Sequence, residues 1–369
     1  MSFFETIKKF DPKDIEKSIG KMSSVEVKRA LAKNKLNELD LMALLSPAAQ
    51  DHLEEMAQKA RSLTVQYFGR TVSLYAPLYI SNHCINECIY CGFNRSHKIA
   101  RKLLTHDEIE REARFLNAQG IRHILLLTGE AHKITPLEML SDVIKLLRKY
   151  FPSVSIEVYP MDTEDYRILK KAGVDGITVY QEVYDTKIYD KVHPAGRKKN
   201  YKYRLETPER AAQAGLRYIN IGTLFGLAPV RSEAFLCALH AKYLENRYLD
   251  TEISLSIPRI RNIPGGYSPD FLLSDRLFVQ ILLAYRLFLP RSGITVSTRE
   301  TSDFRDNLLN LGVTRFSAGS HTEVGGYTED EQSVPQFEIS DSRSVEEIVR
   351  VIREKGLQPI FKDWEDISQ

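Results

Sequence analysis

The sequence predicts an α/β protein built on a (β/α)8 TIM-type barrel, with a helical extension before it and a short tail after it. Eight short apolar, β-branched runs alternate with amphipathic segments between residues 71 and 320. Such alternation predicts a parallel sheet, and eight strands close a barrel. The competing interpretation, an open doubly wound sheet, would carry a glycine fingerprint after its first strand, where this chain has cysteines. We therefore favour the barrel.

Each strand is expected where four to seven residues form an apolar run that ends in polar or glycine-bearing residues. The predicted strands cover residues 74–80, 123–128, 155–159, 176–181, 218–221, 252–257, 294–298 and 314–317. Helical spacing of apolar residues lies between them, at residues 105–119, 136–150, 163–172, 208–214, 232–248, 274–289 and 301–311. Several of these helices end on a glycine, as helices often do.

The ends of the chain lack this alternation. Residues 1–70 show helical periodicity only, at 14–19, 24–33 and 47–61, and are expected to form an N-terminal helical extension. The barrel is expected over residues 71–320. A C-terminal segment, 321–369, contains one more helix at 345–355 and a short tail at 358–364, and should pack back on the barrel.

Composition excludes several classes of protein. The chain has 369 residues, with 51 basic against 49 acidic side chains, so no nucleic acid is expected as a partner. Its N-terminus builds no apolar signal region, and its most apolar stretch, 278–290, is much shorter than the roughly 20 residues of a membrane span. We therefore expect a soluble, cytoplasmic protein with no membrane partner.

Three of the four cysteines lie within eight positions, directly after the first predicted strand. Cys84, Cys88 and Cys91 have the spacing C-x3-C-x2-C, and a loop of this length can wrap so that three thiolates converge on one point. Three cysteines suit a [4Fe–4S] cluster with one iron free of protein ligands. Zinc is the alternative, with His83 or His97 as a fourth ligand, although no second cysteine pair is present.

This motif, with the aromatic residue Tyr90 before the last cysteine, resembles the radical S-adenosylmethionine superfamily. The resemblance implies that the open iron chelates S-adenosylmethionine, which is cleaved to a 5′-deoxyadenosyl radical. Further segments are similar to the tyrosine lyases of thiamine thiazole synthesis, which split the Cα–Cβ bond of L-tyrosine into p-cresol and 2-iminoacetate (dehydroglycine). These segments are LLSPAA, APLYISNHCINECIYCGF, LLLTGE, VYQEVYD, YRLETPERAAQAG, PRIRN, STRE, GGY and QPIFKDW.

Two related enzyme families and one class of non-catalytic metal-binding proteins are the alternatives to this interpretation. The tyrosine lyase of [FeFe]-hydrogenase maturation carries a second cysteine-ligated cluster in a C-terminal extension, and this chain has no cysteine after Cys237. Tryptophan lyases share the frame and differ mainly in the pocket, so the motifs alone do not dismiss them. A non-catalytic iron–sulfur or zinc protein would leave the polar residues at the other strand ends without a role.

The resemblance also assigns residues to S-adenosylmethionine. Thr128-Gly129-Glu130 resembles the superfamily's Gly-Gly-Glu segment, which meets the ammonium group, and departs from it at Thr128. Glu182 would accept hydrogen bonds from the ribose or amino group, and Arg204 would pair with the carboxylate. Tyr90 would lie by the adenine. The alternatives are a solvated strand-end turn for Glu130, and a surface pair with Glu206 for Arg204.

The substrate needs a cation for its own carboxylate. Arg299, at the end of the seventh strand, is our first candidate, with Ser317 hydrogen-bonding beside it and Arg259 in reserve. For the phenol, the sequence does not choose among four candidates: Tyr75, Tyr79, His83 and Glu300.

Other parts of the chain concern partners. The basic run of Arg197, Lys198, Lys199 and Lys202 resembles a basic loop of the family, and we expect it to be a solvated loop rather than a binding site. The resemblance implies an electron donor of flavodoxin or ferredoxin type, and thiazole synthase as a partner.

Overall fold

The computed structural model describes residues 2–260, 267–328 and 333–362. Within these ranges, eight parallel strands pair in chain order, and β1 pairs with both β2 and β8, so the sheet closes on itself. The predicted barrel is confirmed. Its strands are β1 (Thr71–Ser81), β2 (His123–Thr128), β3 (Ser153–Glu157), β4 (Gly176–Glu182), β5 (Tyr218–Thr223), β6 (Glu252–Ser256), β7 (Gly293–Val296) and β8 (Arg315–Ser317).

The α-helices surround this barrel and extend it at both ends. Before β1 lie α1 (Phe3–Ile7), α2 (Pro12–Lys21), α3 (Ser24–Leu31), α4 (Glu38–Leu44) and α5 (Leu53–Phe68). Between strands and after them lie α6 (His106–Ala118), α7 (Leu137–Leu147), α8 (Thr163–Ala172), α9 (Thr186–Val192), α10 (Tyr201–Leu205), α11 (Thr207–Gln213), α12 (Val230–Arg247), α13 (Asp275–Phe288), α14 (Ser302–Leu308) and α15 (Val345–Glu354). None of the helices in the described ranges is long and apolar enough to cross a membrane.

The N-terminal helices are held to the outer surface of the barrel. Helix α5 packs against α13, and α2 packs against α12. Polar contacts add to this packing, because the Glu209 carboxylate accepts a hydrogen bond from the backbone N–H of Phe3 at 2.9 Å. The Phe3 ring also stacks on His240, with 4.2 Å between ring centroids. These contacts fix α1 beside the barrel helices.

The C-terminal segment returns to the first strand. Residues Gln358–Ile360 form β9, which runs parallel to the first residues of β1. The buried Asp341 carboxylate pairs with Arg305 of α14 and with Arg343. The predicted tail thus adds a strand, while its last two residues, 363 and 364, lie outside the described residues.

The interior of the barrel is polar below its mouth. TIM barrels usually fill this space with branched apolar side chains. Here His123 contacts Ser155 at 3.0 Å and Arg315 at 3.1 Å, and Asn220 donates to Ser256 at 2.9 Å. These buried groups satisfy one another. The apolar contacts lie mainly between strands and helices, where Leu, Ile, Val and Phe side chains are almost fully buried.

Candidate active site

The three cysteines lie in a loop that follows β1 and is held by its neighbours through the backbone. The N–H of Ile85 donates to the carbonyl of Glu130 at 3.0 Å. The N–H groups of Glu87 and Ile89 donate to the carbonyls of Ala195 and Val192 at 3.1 and 3.2 Å. The loop after β2 and the loop after α9 therefore set the path of the cysteine loop from two sides.

Two glycines allow this close approach. A Cβ atom built on Gly129 would lie 2.2 Å from the carbonyl oxygen of His83. One built on Gly196, whose φ is +93°, would lie 2.2 Å from Oδ1 of Asn86. Since neither clash leaves room for a methyl group, both neighbouring loops need glycine where they contact the cysteine loop.

We expect Gly129→Ala to displace the cysteine loop and lower the iron content of the reconstituted protein several-fold. The added methyl group would overlap backbone atoms, which cannot rotate away as a side chain would. Iron and sulfide analysis with the visible absorption spectrum checks this. Gly20→Ala is the matched control, because the Cβ added there meets nothing within 4 Å and Gly20 lies in helix α2, whose backbone alanine adopts readily. Equal cluster content in the two variants would contradict the expectation.

The three thiols are close enough to influence one another. Burial raises the pKa of each of them, to about 11 at Cys91, where Cys84 adds to the effect. In the described part of the chain, however, no three His, Cys, Asp or Glu side chains are grouped to hold a single metal ion. In a [4Fe–4S] cluster each thiolate binds a different iron, so the sulfur atoms stand apart. Three cysteine thiolates are the donor set of a [4Fe–4S] cluster with one open iron, so these residues fit such a cluster.

The end of β2 and helix α10 meet in a buried ion pair beside this loop. Nη1 of Arg204 donates to Oε1 of Glu130 at 2.9 Å, and Nε donates to the carbonyl of Tyr180 at 2.7 Å. Nδ2 of Asn86, from the cysteine loop itself, donates to the other Glu130 oxygen at 2.8 Å. The surface pair between Arg204 and Glu206 is therefore wrong, since Arg204 is buried and faces Glu130.

A second buried pair joins the end of β4 to the loop before α10. Nζ of Lys198 donates to Oε1 of Glu182 at 2.6 Å. Burial and Arg204 favour the neutral amine, but Glu182 and the other neighbouring acids hold the pKa of Lys198 above its ordinary value. The prediction of a solvated basic loop at 197–202 is thus wrong for Lys198. Glu182 itself has a φ of 70°, a strained conformation for a non-glycine residue.

Tyr90 is fixed from below by a buried histidine. Its hydroxyl lies 2.7 Å from Nε2 of His193, and Nδ1 of His193 lies 2.9 Å from the carbonyl of Tyr189. Burial, then Lys198 and Arg204, lower the pKa of His193 to about 2, so the imidazole is neutral. A neutral ring donates through Nδ1 to the carbonyl and accepts at Nε2 from the tyrosine hydroxyl.

Thr128, at the end of β2, carries a hydroxyl whose hydrogen-bonding capacity is not used by the described residues. Its hydroxyl oxygen is buried and has no hydrogen-bond partner among the described residues. Buried polar groups usually have a partner, so this hydroxyl is the candidate at the end of β2 for a contact with a ligand. Together with Glu130 and Glu182, this hydroxyl fits a ligand that carries ammonium and hydroxyl groups, as S-adenosylmethionine does.

A cavity that is open to solvent joins the cysteine loop to the opposite side of the barrel mouth, and its space, with the open mouth included, is about 1110 Å³. Cys91, Tyr90 and Glu182 line one side, and Arg299 and Ser317 line the other. The structure thus brings both predicted substrate residues and part of the predicted cofactor set to one space.

Arg299 and Ser317 differ in how they are held. The Arg299 guanidinium stacks on the Phe337 ring, 3.4 Å from its centroid. The Ser317 hydroxyl accepts a hydrogen bond from the backbone N–H of Thr298 at 3.0 Å. The reserve candidate, Arg259, is already engaged, because its Nε donates to both oxygens of Glu300, at 2.9 and 3.0 Å. Arg299 is therefore the better carboxylate partner of the two.

Sequence analysis missed three polar residues of the site. Asn86 and Lys198 belong to the buried pairs described above. Glu157, the last residue of β3, lines the cavity. Burial and the nearby Glu182 raise the pKa of Glu157 to about 7. An acidic residue inside an otherwise apolar strand run was the signal that could have revealed Glu157.

Comparison with known proteins identifies the family. Residues 78–229 match the model of the radical SAM superfamily, and residues 256–358 match the biotin and thiamin synthesis associated domain. The 2-iminoacetate synthase of Salmonella typhimurium is 40% identical over 95% of this chain and 94% of its own length. That of Escherichia coli is 39% identical over 99% and 97%. The chain belongs to the 2-iminoacetate synthase family of radical SAM enzymes.

Solved structures agree with this family. HydG, a maturase of the [FeFe]-hydrogenase, superimposes with a TM-score of 0.86 at 32% identity, over 97% of this chain and 78% of that chain. Methylornithine synthase superimposes with a TM-score of 0.70 at 22% identity, which supports the fold alone. A non-catalytic protein is excluded, because 2-iminoacetate synthases are enzymes.

Proposed function

We propose that this chain cleaves the Cα–Cβ bond of L-tyrosine to p-cresol and 2-iminoacetate, for the thiazole part of thiamine. The observation that carries the proposal is the near full-length similarity to two 2-iminoacetate synthases. The cavity supports it, since it places a cation for an amino-acid carboxylate across from the cysteine loop. Tyrosine is thus preferred to tryptophan as the substrate.

Cys84, Cys88 and Cys91 are proposed to hold a [4Fe–4S] cluster, and Thr128, Gly129, Glu130, Glu182 and Arg204 to surround S-adenosylmethionine beside Tyr90. When both are bound and the cluster is reduced, they supply a radical that removes a hydrogen atom from the substrate. The remaining contributions come from the protein. Asn86 and Arg204 fix the Glu130 carboxylate, and Lys198 fixes that of Glu182, so both acids are oriented before a ligand arrives.

The opposite side of the cavity is proposed to bind the substrate. The Arg299 guanidinium would take the carboxylate through two parallel hydrogen bonds, and the Ser317 hydroxyl would donate beside it. The tyrosine-rich wall would exclude water from the reacting groups. An electron donor of flavodoxin or ferredoxin type, transfer of the product to thiazole synthase, and a cytoplasmic location complete the proposal.

An anaerobic assay tests this function. The reconstituted protein would be incubated with dithionite, S-adenosylmethionine and L-tyrosine, and the products separated by chromatography. We expect p-cresol and 5′-deoxyadenosine in equal amounts. The same assay with L-tryptophan should give no C–C cleavage product. 5′-Deoxyadenosine without p-cresol would contradict tyrosine as substrate.

We expect Arg299→Lys to raise the KM for tyrosine about 10- to 100-fold, since lysine keeps the charge but loses the fork that matches a carboxylate. Initial rates of p-cresol formation against tyrosine concentration measure this. Arg276→Lys, at an exposed arginine that contacts the carbonyl of Gln50, is the control. An unchanged KM in the Arg299 variant would limit Arg299 to its stacking on Phe337.

A further inference from the structure

Among the residues that the structure describes, five charged side chains line the cavity, and three of them pair with opposite charges of the chain. The five are Glu157, Glu182, Lys198, Arg299 and Glu300. Lys198 pairs with Glu182, and Arg259 of the neighbouring strand end pairs with Glu300. A buried charge that already has its partner is neutralised, so it can still exchange hydrogen bonds with a ligand but offers it no net charge.

The other two charges, Arg299 and Glu157, are different. Among residues 2–260, 267–328 and 333–362, neither side chain forms a hydrogen bond or an ion pair, although the charges of Lys198, Arg299 and Arg204 act on Glu157 and the Arg299 guanidinium stacks on the Phe337 ring. Both side chains are partly exposed to the cavity. An unpaired charge facing a cleft is a candidate for ligand binding. The cavity therefore offers a ligand one cationic and one anionic group.

These two groups stand on opposite walls. Glu157 ends β3, and Arg299 follows β7. In the closed order from β1 to β8, these two strands are four positions apart, which is the largest separation that an eight-stranded barrel allows. An interior of this size holds one small ligand. A molecule that contacts both groups must cross the barrel with a polar group at each end.

An aromatic amino acid with a hydroxyl on its ring meets this requirement in one orientation. Its carboxylate and ammonium groups share the same carbon, so both lie near Arg299 once the carboxylate is bound there. Only the far end of the side chain then reaches Glu157. The wall around Glu157 suits a ring, because Leu125 and Leu127 of β2 and Tyr180 of β4 line the same cavity.

We propose that the Glu157 carboxylate accepts the hydrogen bond of the substrate's phenol hydroxyl, and that this contact selects tyrosine over phenylalanine. The proposal rests on the proposed function, because it takes tyrosine as the substrate. A site built to hydrogen-bond a hydroxyl rejects the analogue without it, since the buried polar group is then left unpaired. Glu157 is thus a specificity-determining residue.

The phenol candidates from the sequence are less suited to this role. The Tyr79 hydroxyl donates to Oε1 of Gln336 at 2.8 Å, and Glu300 is held by Arg259. His83 is absent from the lining of the cavity in the described structure. Tyr75 lines the cavity but carries a neutral hydroxyl. Hydrogen bonds to charged groups are stronger than those between neutral groups, which favours Glu157.

The test measures binding without turnover. Holoenzyme with S-adenosylmethionine and no reductant would be dialysed to equilibrium against labelled L-tyrosine or L-phenylalanine, at a pH well above the Glu157 pKa of about 7. We expect the wild type to bind tyrosine about 10- to 100-fold more tightly than phenylalanine. Glu157→Gln should reduce this ratio several-fold, and Glu157→Leu should bring it close to one. Phenylalanine binding, retained in both variants, shows that the site is folded.

Glu252→Gln is the control, because it makes the same change at the other end of the barrel, where Glu252 begins β6. It should keep the wild-type ratio. A wild-type ratio in Glu157→Leu would overturn the inference. Equal loss of tyrosine and phenylalanine binding in Glu157→Leu would also overturn the inference, because Glu157 would then contact the ammonium group that both amino acids carry. A wild-type protein that makes no p-cresol would overturn the proposed function itself, which the product assay detects separately.

Discussion

Replacing Cys88 by alanine should leave the reconstituted protein without its cluster and without detectable p-cresol formation. Cys88 is the most buried of the three thiols, and its loop is anchored on both sides, so another side chain cannot move in to replace its sulfur. Cys84→Ala and Cys91→Ala should behave in the same way. Iron and sulfide analysis, together with the visible spectrum and the p-cresol assay, measures the loss.

Cys237→Ala provides the matched control for this series. Cys237 is a buried thiol on α12, near Tyr184 and Tyr285, and it lies outside the cavity lining. We expect full cluster content and a small loss of stability, about 1 kcal/mol for the methyl-sized gap. A Cys88 variant that retained the iron of the Cys237 variant would contradict the assignment of the cluster ligands.

Arg204→Met should lower the free energy of unfolding by about 3–5 kcal/mol, because removing one partner of a buried ion pair leaves the other charge uncompensated. Glu130 would keep only its hydrogen bond from Asn86, and the Tyr180 carbonyl would lose its donor. Urea unfolding should show a lower midpoint, and S-adenosylmethionine binding, measured by equilibrium dialysis, should weaken in parallel.

Two further variants separate charge from packing. Arg204→Lys keeps the charge and should recover part of the stability, but it cannot bind Glu130 and the Tyr180 carbonyl together. Arg210→Met removes a neighbouring arginine that donates to the carbonyls of Met161 and Tyr203 and, in the part of the chain that the structure describes, pairs with no carboxylate. We expect a smaller loss there. Similar midpoints for Arg204→Met and Arg210→Met would contradict the importance of the ion pair.

The architecture was predictable because its signals are local. Strand β2 and helix α8 begin and end where the apolar pattern predicts, and Gly173 adopts a φ of +116° after α8. Helices α9 and α10 were not predicted. They are only seven and five residues long, and their positions depend on packing against the cysteine loop and the N-terminal helix rather than on their own periodicity.

Site residues could be predicted where a sequence motif contains them. They were harder to predict where residues distant in sequence come together only in the fold. The cysteines and the residues after each strand follow from spacing and from the rule that barrels collect function at one face. Lys198 was not predicted as a site residue, because a run of basic residues usually points to solvent. The fold instead turns this one lysine inward onto Glu182. Glu157 was not predicted as a site residue, because it lies inside a strand. Its position across the cavity from Arg299 becomes visible only in the closed barrel.

The backbone hydrogen bonds and glycine contacts of the cysteine loop have a consequence for the enzyme's tolerance of oxygen. Exposed iron–sulfur clusters are readily damaged, and a loop shaped only by its metal would collapse when the metal left. In this protein, neighbouring segments already hold the loop in position through the carbonyls of Glu130, Val192 and Ala195. Loss of the cluster should therefore be reversible, because the loop keeps its shape and can bind new iron and sulfide.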